Sequence, residues 1–518
     1  MRCALTLCLA LGAAGAAARA SHDPVAPFEA PSFSTPQCRI DDLVFARLAK
    51  EKVPAALPCS DVVFVRRVFI DLIGTLPTPD EVAGFLADKS SDKRAKLVER
   101  LFEREEFADF WAMRWSDVLC VKAEFPINLW PNPAQGYHHY LRNCVRSNVP
   151  VNRLARELLT ANGSNMRVPE SNFLRAVQKR DPHTLAAAAS QTFMGVRREA
   201  WTTAELDSLA VFFSRVGYKT TSEWKEEIVF FDISKPAPAL PVTMPDGRSL
   251  GIPPDSDPRQ VFAGWLLRPE NPWFARCMAN RMWFWLLGRG IVDEADDFRR
   301  DNPPSHPELL AYLSGELASH GWDMRHLIRL IVNSRTYQLS PIPPADSRAP
   351  ALFASYPIRR MDAEVLIDAL CAVTGSTETY SSLIPEPFTF LPEGTRALAV
   401  PDGSISSSFL ELFGRPSRDS GLLSERNPNP SAGQRLHFLN SSHLRNKVEQ
   451  SATLREMLRS GRPDEAATRI YLLILSRPPT DGERRIFHMA VASTSDRRSA
   501  FIDITWALLN TTEFLCRH

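Results

Sequence analysis

Two stretches of the chain, residues 280–306 and 415–443, concentrate side chains that do acid–base and anion-binding chemistry. The candidate general bases are Asp297, His306 and His443, because an imidazole or a carboxylate can take a proton from a bound substrate. The candidate ligand-binding side chains are Asn280, Arg281, Arg299, Arg415, Arg418, Asp419, Glu425 and Arg426. Arginines favour an anionic ligand, since one guanidinium donates two parallel hydrogen bonds to a carboxylate or phosphate. If the two stretches meet, they predict a site at the mouth of a cleft.

The same side chains also have a structural interpretation, which the sequence favours. Arginines and carboxylates that pair when partly buried fix the packing of helices. His306 lies inside residues 305–308, which have the spacing of a helix capping box, and this alone explains a polar residue there. His138 and His139 lie between two tyrosines and are expected to be a solvated pair.

Motifs of established catalytic and metal sites are missing from the full sequence. It contains no H-E-x-x-H, no G-x-x-x-x-G-K-[ST] and no EF-hand loop. Residues 247–251 match G-x-S-x-G, but a nucleophile elbow needs a helix directly after it, and Pro253 and Pro254 follow. We expect a hairpin turn there. No two cysteines have the spacing C-x-x-C, which argues against a cysteine-based zinc site. The sequence therefore predicts no metal, no haem and no other cofactor.

Residues 1–20 have the three parts of a cleavable secretory signal. Arg2 supplies a positive start, an alanine- and leucine-rich stretch follows, and Ala18 and Ala20 form a small-x-small cleavage site. The apolar stretch is too short for a spanning helix, which needs about 20 strongly apolar residues. We expect export to the periplasm or cell surface, with no membrane span after cleavage.

The charges of the chain nearly cancel, with 61 Lys and Arg against 60 Asp and Glu. This balance gives no electrostatic reason to bind nucleic acid or an anionic membrane. Of nine cysteines, Cys3 and Cys8 would leave with the signal, and the odd number that remains means that at least one is unpaired within the chain. Cys38 and Cys59 flank one predicted helix and could pair in an oxidising compartment.

Helical periodicity dominates the chain and predicts an all-α, mostly helical fold. Apolar residues recur at three- and four-residue spacing, and capping boxes lie at residues 78–81, 305–308 and 480–483. An alanine-rich helix should begin at Asp181 and Pro182 and run to about Met194. Tryptophans with apolar neighbours are expected in the core: Trp111, Trp115, Trp283 and Trp285.

Proline-rich breaks predict how the chain is divided. Residues 235–258 contain seven prolines and a Pro-Asp-Gly turn, which predicts a linker with a small β-hairpin. The predicted organisation is a signal at residues 1–20, a loose leader at 21–39, an N-terminal helical domain at 40–234, the linker at 235–258 and a C-terminal helical domain at 259–518.

Several segments resemble, in order, a known pair of families. They are residues 64–82, 111–117, 271–292, 297–299, 302–309, 321–323, 413–416 and 475–479. They are similar to the planctomycete and verrucomicrobial families of unknown function DUF1549 and DUF1553, the PSCyt2 and PSD1 type, which accompany or contain c-type cytochrome modules. The resemblance places the first family at about residues 40–215 and the second at about 255–515.

Two features that the resemblance implies are missing. In similar proteins a haem-attachment C-x-x-C-H follows a Phe-x-Gly-Val-Arg stretch, and its cysteines and histidine hold the porphyrin and the iron. Here residues 193–197 match the stretch before the haem-attachment motif and Trp201 matches the stretch after it. Only residues 198–200 lie between them, which leaves no room for the motif. Relatives also often carry a Cys-x-Cys where this chain has Leu422 and Ser424.

The leading functional hypothesis is a non-catalytic exported binding or scaffold protein that has lost its haem. The second is a periplasmic or surface enzyme that acts in polysaccharide breakdown, because similar proteins are often encoded near sulfatase-like proteins. A redox carrier is the third. The expected partner is another exported protein or a polysaccharide.

The purified protein is expected to contain no covalent haem. Because the sequence has no C-x-x-C-H, a porphyrin finds no cysteine pair to attach to. The test is a visible absorption spectrum of protein expressed together with cytochrome c maturation machinery. A sharp Soret band with c-type α and β bands would contradict the prediction.

Overall fold

The structure is a computed structural model that describes residues 23–236, 241–459, 463–494 and 496–518. Within these residues the chain is mostly helical and the strands are short, which confirms the predicted helical class. The signal predicted at residues 1–20 lies outside the described residues. No described helix is both long enough and apolar enough to cross a membrane.

Helices α1 to α9 precede the proline-rich segment. They are α1 (Arg39–Glu51), α2 (Asp61–Ile73), α3 (Pro79–Ala87), α4 (Lys93–Phe102), α5 (Glu105–Val118), α6 (Pro131–Arg146), α7 (Val151–Thr160), α8 (Pro182–Met194) and α9 (Thr203–Ala210). Short 3₁₀ turns lie at Pro169–Leu174, Arg198–Ala200 and Val211–Phe213. Helix α5 packs against α2 and α6, so it lies at the centre of this half.

Helices α10 to α22 follow the proline-rich segment. They are α10 (Pro258–Leu266), α11 (Phe274–Leu287), α12 (Pro307–Ser319), α13 (Met324–Val332), α14 (Ala363–Thr374), α15 (Ser408–Leu412), α16 (Ala432–Asn440), α17 (Ser442–Glu449), α18 (Ala452–Arg459), α19 (Pro463–Leu475), α20 (Asp481–Ala492), α21 (Arg497–Leu509) and α22 (Thr512–Leu515). The 3₁₀ turns here lie at Ala349–Leu352, Ala397–Ala399 and Leu423–Glu425.

Small antiparallel sheets join distant parts of the described chain. Strand β3 (Glu227–Phe231) lies between β1 (Gly163–Ser164) and β2 (Val216–Thr220). Strand β4 (Val242–Thr243) pairs with β5 (Ser249–Leu250), and this is the hairpin expected in the proline-rich segment. Strand β6 (Arg359–Arg360) pairs with β7 (Cys516–Arg517). Ser249 therefore lies in a hairpin strand and not on a nucleophile elbow.

Side-chain caps start several helices where the sequence predicts them. The Oγ1 atom of Thr78 accepts a hydrogen bond from the Glu81 N–H at 3.2 Å, and the Glu81 carboxylate accepts one from the Thr78 N–H at 2.8 Å. Residues 480–483 form the same box, and α8 begins and ends as predicted.

The capping box predicted at residues 305–308 is wrong. Helix α12 has His306 at its N-cap, and that side chain makes no capping hydrogen bond. The Ser305 hydroxyl instead donates to the Ile291 carbonyl oxygen at 3.1 Å. The Ser305 hydroxyl therefore makes a tertiary hydrogen bond instead of capping helix α12.

The four tryptophans expected in the core are buried. The ring of Trp285, on α11, meets the rings of Trp111 and Trp115, on α5, edge-on at centroid distances of 5.7 and 5.6 Å. Aromatic pairs of this geometry add about 0.5–1.5 kcal/mol beyond the area that they bury. The buried apolar residues form one cluster that contains both of these helices, so the hydrophobic core continues across the two predicted domains.

Residues 23–38, within the predicted loose leader, contact the helical body at several points. Glu29 and Cys59 form an isolated antiparallel bridge, and the Ser60 N–H donates to the Phe28 carbonyl oxygen at 2.9 Å. The Phe28 ring lies edge-on to the His518 imidazole at 6.1 Å. Backbone hydrogen bonds therefore hold this segment in place.

The thiols of Cys38 and Cys59 are both free in the structure, so the disulfide considered above is not formed. Cys38 Sγ lies 3.2 Å from an Asp41 carboxylate oxygen. Burial raises the pKa of the Cys38 thiol to about 11, which keeps it protonated and unreactive at neutral pH.

Replacing Trp111 with alanine should destabilise the folded state by about 3–5 kcal/mol. Trp111 is 1% exposed and its indole N–H donates to the Leu72 carbonyl oxygen at 3.1 Å, so the change leaves a cavity and an unpaired acceptor. Urea unfolding followed by circular dichroism measures the loss. Trp224→Ala is the matched control, because Trp224 is 59% exposed and should cost about 1 kcal/mol or less. Equal losses would contradict the prediction.

His138 is buried, so the expectation of a solvated histidine pair is wrong for this residue. Because a buried imidazole stays neutral, the free energy of unfolding should fall as the pH drops below about 6.5. Burial and the charge of Arg418 lower the pKa of His138 to about 3, whereas an unfolded histidine titrates near about 6.5. The unfolded state then binds a proton that the folded state does not. One such histidine costs about 1.4 kcal/mol per pH unit below that value, until the pH reaches the folded pKa.

His138→Gln should remove this contribution from the pH dependence of the free energy of unfolding between about pH 6.5 and pH 5. Urea unfolding at several pH values measures the slope in each protein. His139→Gln changes an exposed neighbour and is the control, in which the slope should change less than in His138→Gln. An unchanged slope in His138→Gln would show that this histidine does not titrate as described.

Candidate functional site

A small cavity of about 70 Å³ lies where segments from both halves of the chain meet. Its charged lining consists of Arg114, Asp117, Arg359, Arg360, Asp362, Arg426 and Arg517. The rest of the wall is formed by Phe284, Trp285, Gly288, Pro416, Leu422, Leu423 and Pro428. The cavity thus combines an arginine-rich lining with aromatic and aliphatic walls.

Helix α5 directs two of the charged side chains to the cavity. Arg114 and Asp117 are three residues apart, so they lie on the same face of the helix. Trp111 and Trp115 fix α5 against α11 in the core. The aromatic packing therefore sets the position of a buried cation and a buried anion.

The second half supplies the other side of the cavity through helix and strand ends. Asp362 is the N-cap residue of α14, and Arg426 directly follows the 3₁₀ turn Leu423–Glu425. Arg359 and Arg360 form β6, whose pairing with β7 places Arg517 opposite Arg359.

Arg426 is the centre of a network of buried ion pairs. Its Nη2 lies 2.7 Å from Asp117 Oδ2, and its Nη1 lies 2.6 Å from Glu364 Oε2. A second contact from Nη2 to Glu364 Oε1, at 3.0 Å, makes this pair bidentate. Burial opposes the charge of Arg426, but Asp117 and Glu364 outweigh that effect and hold its pKa well above the ordinary value.

Asp362 joins two further arginines to the network. The Nη2 atoms of Arg114 and Arg517 each lie 2.5 Å from Asp362 Oδ2. Arg517 also donates to Asp71 Oδ1 at 3.1 Å, and the other Asp71 oxygen accepts from the Tyr356 hydroxyl at 2.6 Å. Burial raises the pKa of Asp362, but Arg114 and Arg517 overcome this and hold the pKa well below its usual range. Asp362 is therefore ionised at neutral pH.

Arg415 and Arg418 extend the network on the other side. Arg418 Nε donates to Asp117 Oδ1 at 2.9 Å, and Arg415 Nε lies 3.5 Å from Glu364 Oε1. Burial lowers the pKa of Arg415 to about 10, which leaves the guanidinium charged at neutral pH.

Positive charge exceeds negative charge in the network and around the cavity. The carboxylates are Asp71, Asp117, Asp362 and Glu364, and the guanidiniums are Arg114, Arg359, Arg360, Arg415, Arg418, Arg426 and Arg517. Four acids against seven arginines leave an excess of three positive charges. Arg359 and Arg360 are partly exposed, so water solvates part of this excess. The remaining buried charge is costly without a counter-charge, so the arrangement favours an anion at the cavity.

Several guanidinium N–H groups at the cavity have no hydrogen-bond partner among the described residues. They are Nε of Arg114, Nε of Arg359, Nη1 of Arg360 and Nε of Arg517. A buried donor without a partner costs about 1–3 kcal/mol. These nitrogens are themselves inaccessible to solvent, so a ligand oxygen accepts from them only if the guanidinium groups turn toward the cavity. Excess positive charge and unused donors are the two properties that an oxyanion site needs.

A wider, mostly apolar groove of about 620 Å³ adjoins the cavity. The groove and the cavity share Arg359, Arg360 and Pro428. Ile358 and Leu439 line the groove and are half exposed. A ligand with its anionic group in the cavity can therefore place an apolar part in the groove.

The acidic residues of the 415–426 stretch organise its loop. Asp419 Oδ1 accepts from Lys122 Nζ at 2.6 Å, and Glu425 Oε1 accepts from the Ser420 N–H at 2.6 Å. Asp419 and Glu425 thus hold the backbone that carries Arg418 and Arg426.

Asn280 and Arg281 are buried on α11 and bind backbone carbonyl groups. Asn280 Nδ2 donates to the Val292 carbonyl oxygen at 2.9 Å, and Arg281 Nη1 donates to the Thr192 carbonyl oxygen at 2.8 Å. Both side chains fix the segments around α11, and neither lines the cavity.

Asp297 and His306 have separate surroundings. Asp297 Oδ2 lies 3.3 Å from Arg299 Nε, whereas the His306 ring packs on Phe353 at a centroid distance of 5.3 Å. His306 is 3% exposed, and burial, together with the charge of Arg47, lowers its pKa to about 4. His306 is therefore neutral at pH 7 and offers almost no surface to a substrate.

His443 belongs to another cluster. Its Nε2 lies 2.9 Å from Glu378 Oε2 and its Nδ1 lies 3.2 Å from His437 Nε2. Lys447 Nζ approaches the same Glu378 oxygen at 3.0 Å. The candidate bases Asp297, His306 and His443 thus each contact different groups.

Sequence reasoning missed most of the residues that line the cavity. Arg114 and Asp117 share one helix, but Arg517 is far from them along the chain, and nothing local marks it as their neighbour. One signal was present, because Arg359, Arg360, Asp362 and Glu364 lie within six residues directly before an apolar helix. The helix dipole favours the two acids at this helix start but not the two arginines, so the arginines indicate partners elsewhere in the fold.

Two family models match the chain in the order that the resemblance implies. PSCyt2, a protein of unknown function (DUF1549), matches residues 39–206, and PSD1, a protein of unknown function (DUF1553), matches residues 258–491. Searches among curated proteins and among solved structures find no match. The cavity draws Arg114 from the first matched region and Arg426 from the second. Since the two matches together cover most of the chain, the protein belongs to the paired DUF1549 and DUF1553 families.

Proposed function

We propose that the protein is an exported, haem-less binding protein whose arginine-lined cavity receives an anionic group of its ligand. The observation that carries this proposal is the excess of guanidinium groups over carboxylates around a cavity of about 70 Å³. An anion there offsets charge that the protein's own carboxylates leave uncompensated. Export is part of the proposal because it rests on the signal pattern of residues 1–20.

The size and walls of the cavity suit a small oxyanion. A water molecule takes about 30 Å³ of liquid volume, so the cavity has room for a group such as a carboxylate, sulfate or phosphate. Phe284 and Trp285 form apolar walls, and such walls keep out water that would otherwise weaken the attraction between charges.

The protonation state of the cavity favours binding over acid–base catalysis. A general base must take up a proton near the working pH. The pKa of Asp362 lies well below its usual range because Arg114 and Arg517 outweigh the effect of burial. Asp362 therefore stays ionised and paired, and it orients the arginines.

The adjoining groove favours a protein ligand over a polysaccharide. Its lining includes Ile358, Phe413, Phe438 and Leu439, which suit apolar side chains better than sugar hydroxyls. Carboxylate recognition beside an apolar groove is a common way to bind a segment of another protein. We therefore take the ligand to be an exported protein with an acidic group next to apolar side chains.

Arg360→Gln should weaken the binding of small oxyanions by about tenfold or more. Arg360 lines the cavity and its Nη1 has no partner among the described residues, and a hydrogen bond to a charged group contributes about 1.5–3 kcal/mol. Isothermal titration with acetate, phosphate and sulfate, at constant ionic strength, measures the affinity. Arg300→Gln is the matched control, because Arg300 is 88% exposed and pairs with Glu205.

Two results would contradict the proposed site. One is a wild-type protein that binds none of the three anions, and the other is equal affinity in wild type and Arg360→Gln. Acidic peptides with apolar neighbours and uronic-acid oligosaccharides, compared at equal concentration, identify the ligand class. Tighter binding of the oligosaccharide would replace the protein ligand with a polysaccharide while keeping the anion site.

A further inference from the structure

A cluster of two histidines and one glutamate lies at the junction of α12 and α13, and none of its members lines the arginine cavity. Glu316 and His320 are four residues apart, so they share a face at the end of α12. His326 lies in the first turn of α13. The ligand atoms of the three side chains all lie within 4.8 Å of one another.

The distances within the cluster suit a tetrahedral metal ion. Glu316 Oε2 lies 3.3 Å from His320 Nδ1 and 3.1 Å from His326 Nε2. Zinc binds nitrogen and oxygen ligands at about 2.0–2.2 Å, and the ligand atoms of a tetrahedral site are therefore about 3.3–3.5 Å apart. These two separations match two edges of such a site. The rings of His320 and His326 are stacked, and His320 Nδ1 also lies 3.0 Å from the Glu316 carbonyl oxygen, so the exposed His320 ring must turn before both imidazoles face one ion.

Charge also favours a metal over a simple ion pair. The His320 and His326 rings are stacked at a centroid distance of 3.9 Å with an angle of 16° between their planes. If both rings were protonated, two positive charges would lie face to face and share a single carboxylate. A metal ion binds neutral imidazoles, so it removes this repulsion and keeps the carboxylate satisfied.

The helices hold two of the ligands in place and leave one side open. Glu316 lies within α12, and the His326 N–H donates to Asp323 Oδ1, the N-cap of α13, at 3.1 Å. The His320 side chain is 49% exposed. Water or a partner side chain can therefore complete the coordination, as in zinc sites that have three protein ligands.

We propose that Glu316, His320 and His326 form a site for a divalent transition-metal ion of the zinc type. The site joins the end of α12 to the start of α13. This proposal departs from the prediction of a chain without metal. That prediction considered cysteine motifs and H-E-x-x-H, and it did not consider the spacing of Glu316, His320 and His326. The proposal is independent of the anion site.

The cluster of His437, His443 and Glu378 provides a contrast within the same chain. Its geometry is also close, with His443 Nε2 2.9 Å from Glu378 Oε2. Lys447 Nζ lies 3.0 Å from that same oxygen, so an ammonium group already provides the positive charge. His443→Ala is therefore a matched control for the loss of a histidine beside a glutamate.

The test uses the full chain with any affinity tag removed, first treated with a chelator and kept reduced. Titration with Zn²⁺ should show one ion bound per chain with a dissociation constant in the micromolar range. His326→Ala and His320→Ala should each weaken this binding at least tenfold, and His443→Ala should leave it unchanged. Zinc should also raise the unfolding temperature of wild type and of His443→Ala, but not of His326→Ala.

A second readout separates this site from the thiols. Cobalt(II) bound by two imidazoles and a carboxylate gives weak visible d–d bands, without the intense near-ultraviolet band of a thiolate ligand. The proposal is overturned if wild type binds no zinc at about 100-fold excess over the protein, if His326→Ala binds zinc as wild type does, or if the cobalt spectrum shows thiolate coordination. Circular dichroism of each metal-free variant confirms that a loss of binding is not a loss of fold.

Discussion

Arg426 pairs with two buried carboxylates, Asp117 and Glu364, that lie in different halves of the chain. Removing one partner of such a pair leaves an uncompensated charge and costs about 3–5 kcal/mol. Asp117 is fixed to α5 and Glu364 to α14, so their shared cation sets how these two helices approach. The cavity, its aromatic wall and the adjoining groove all take their positions from this constraint.

Local signals account for the parts of the fold that the sequence predicts correctly. The capping box of Thr78 joins groups three residues apart, and α8 begins at Pro182 behind the capping side chain of Asp181. Ser305 shows the limit of this reasoning. Its hydroxyl binds the Ile291 carbonyl oxygen, 14 residues away, and a local pattern cannot anticipate a competitor that only the tertiary fold brings near.

The candidate site was only partly predictable for the same reason. Arg415, Arg418 and Arg426 stand out as a dense run of charge, and the structure places all three in one network. Asp117, the acidic partner of Arg418 and Arg426, is about 300 positions away, and a sequence does not show which of many acids will reach a given arginine. His306 has the right chemistry for a base, but its packing on Phe353 depends on neighbours that only the fold supplies.

The ion pair between Arg517 and Asp71 spans 446 positions of the chain, and this separation has a kinetic consequence. Closing a loop of that length costs entropy before the contact returns any energy, and folding slows as contacts become more distant in sequence. Before β7 pairs with β6, Asp71 lacks Arg517 as its cation, and we expect its carboxylate to stay hydrated. We therefore expect this part of the core to close late in folding.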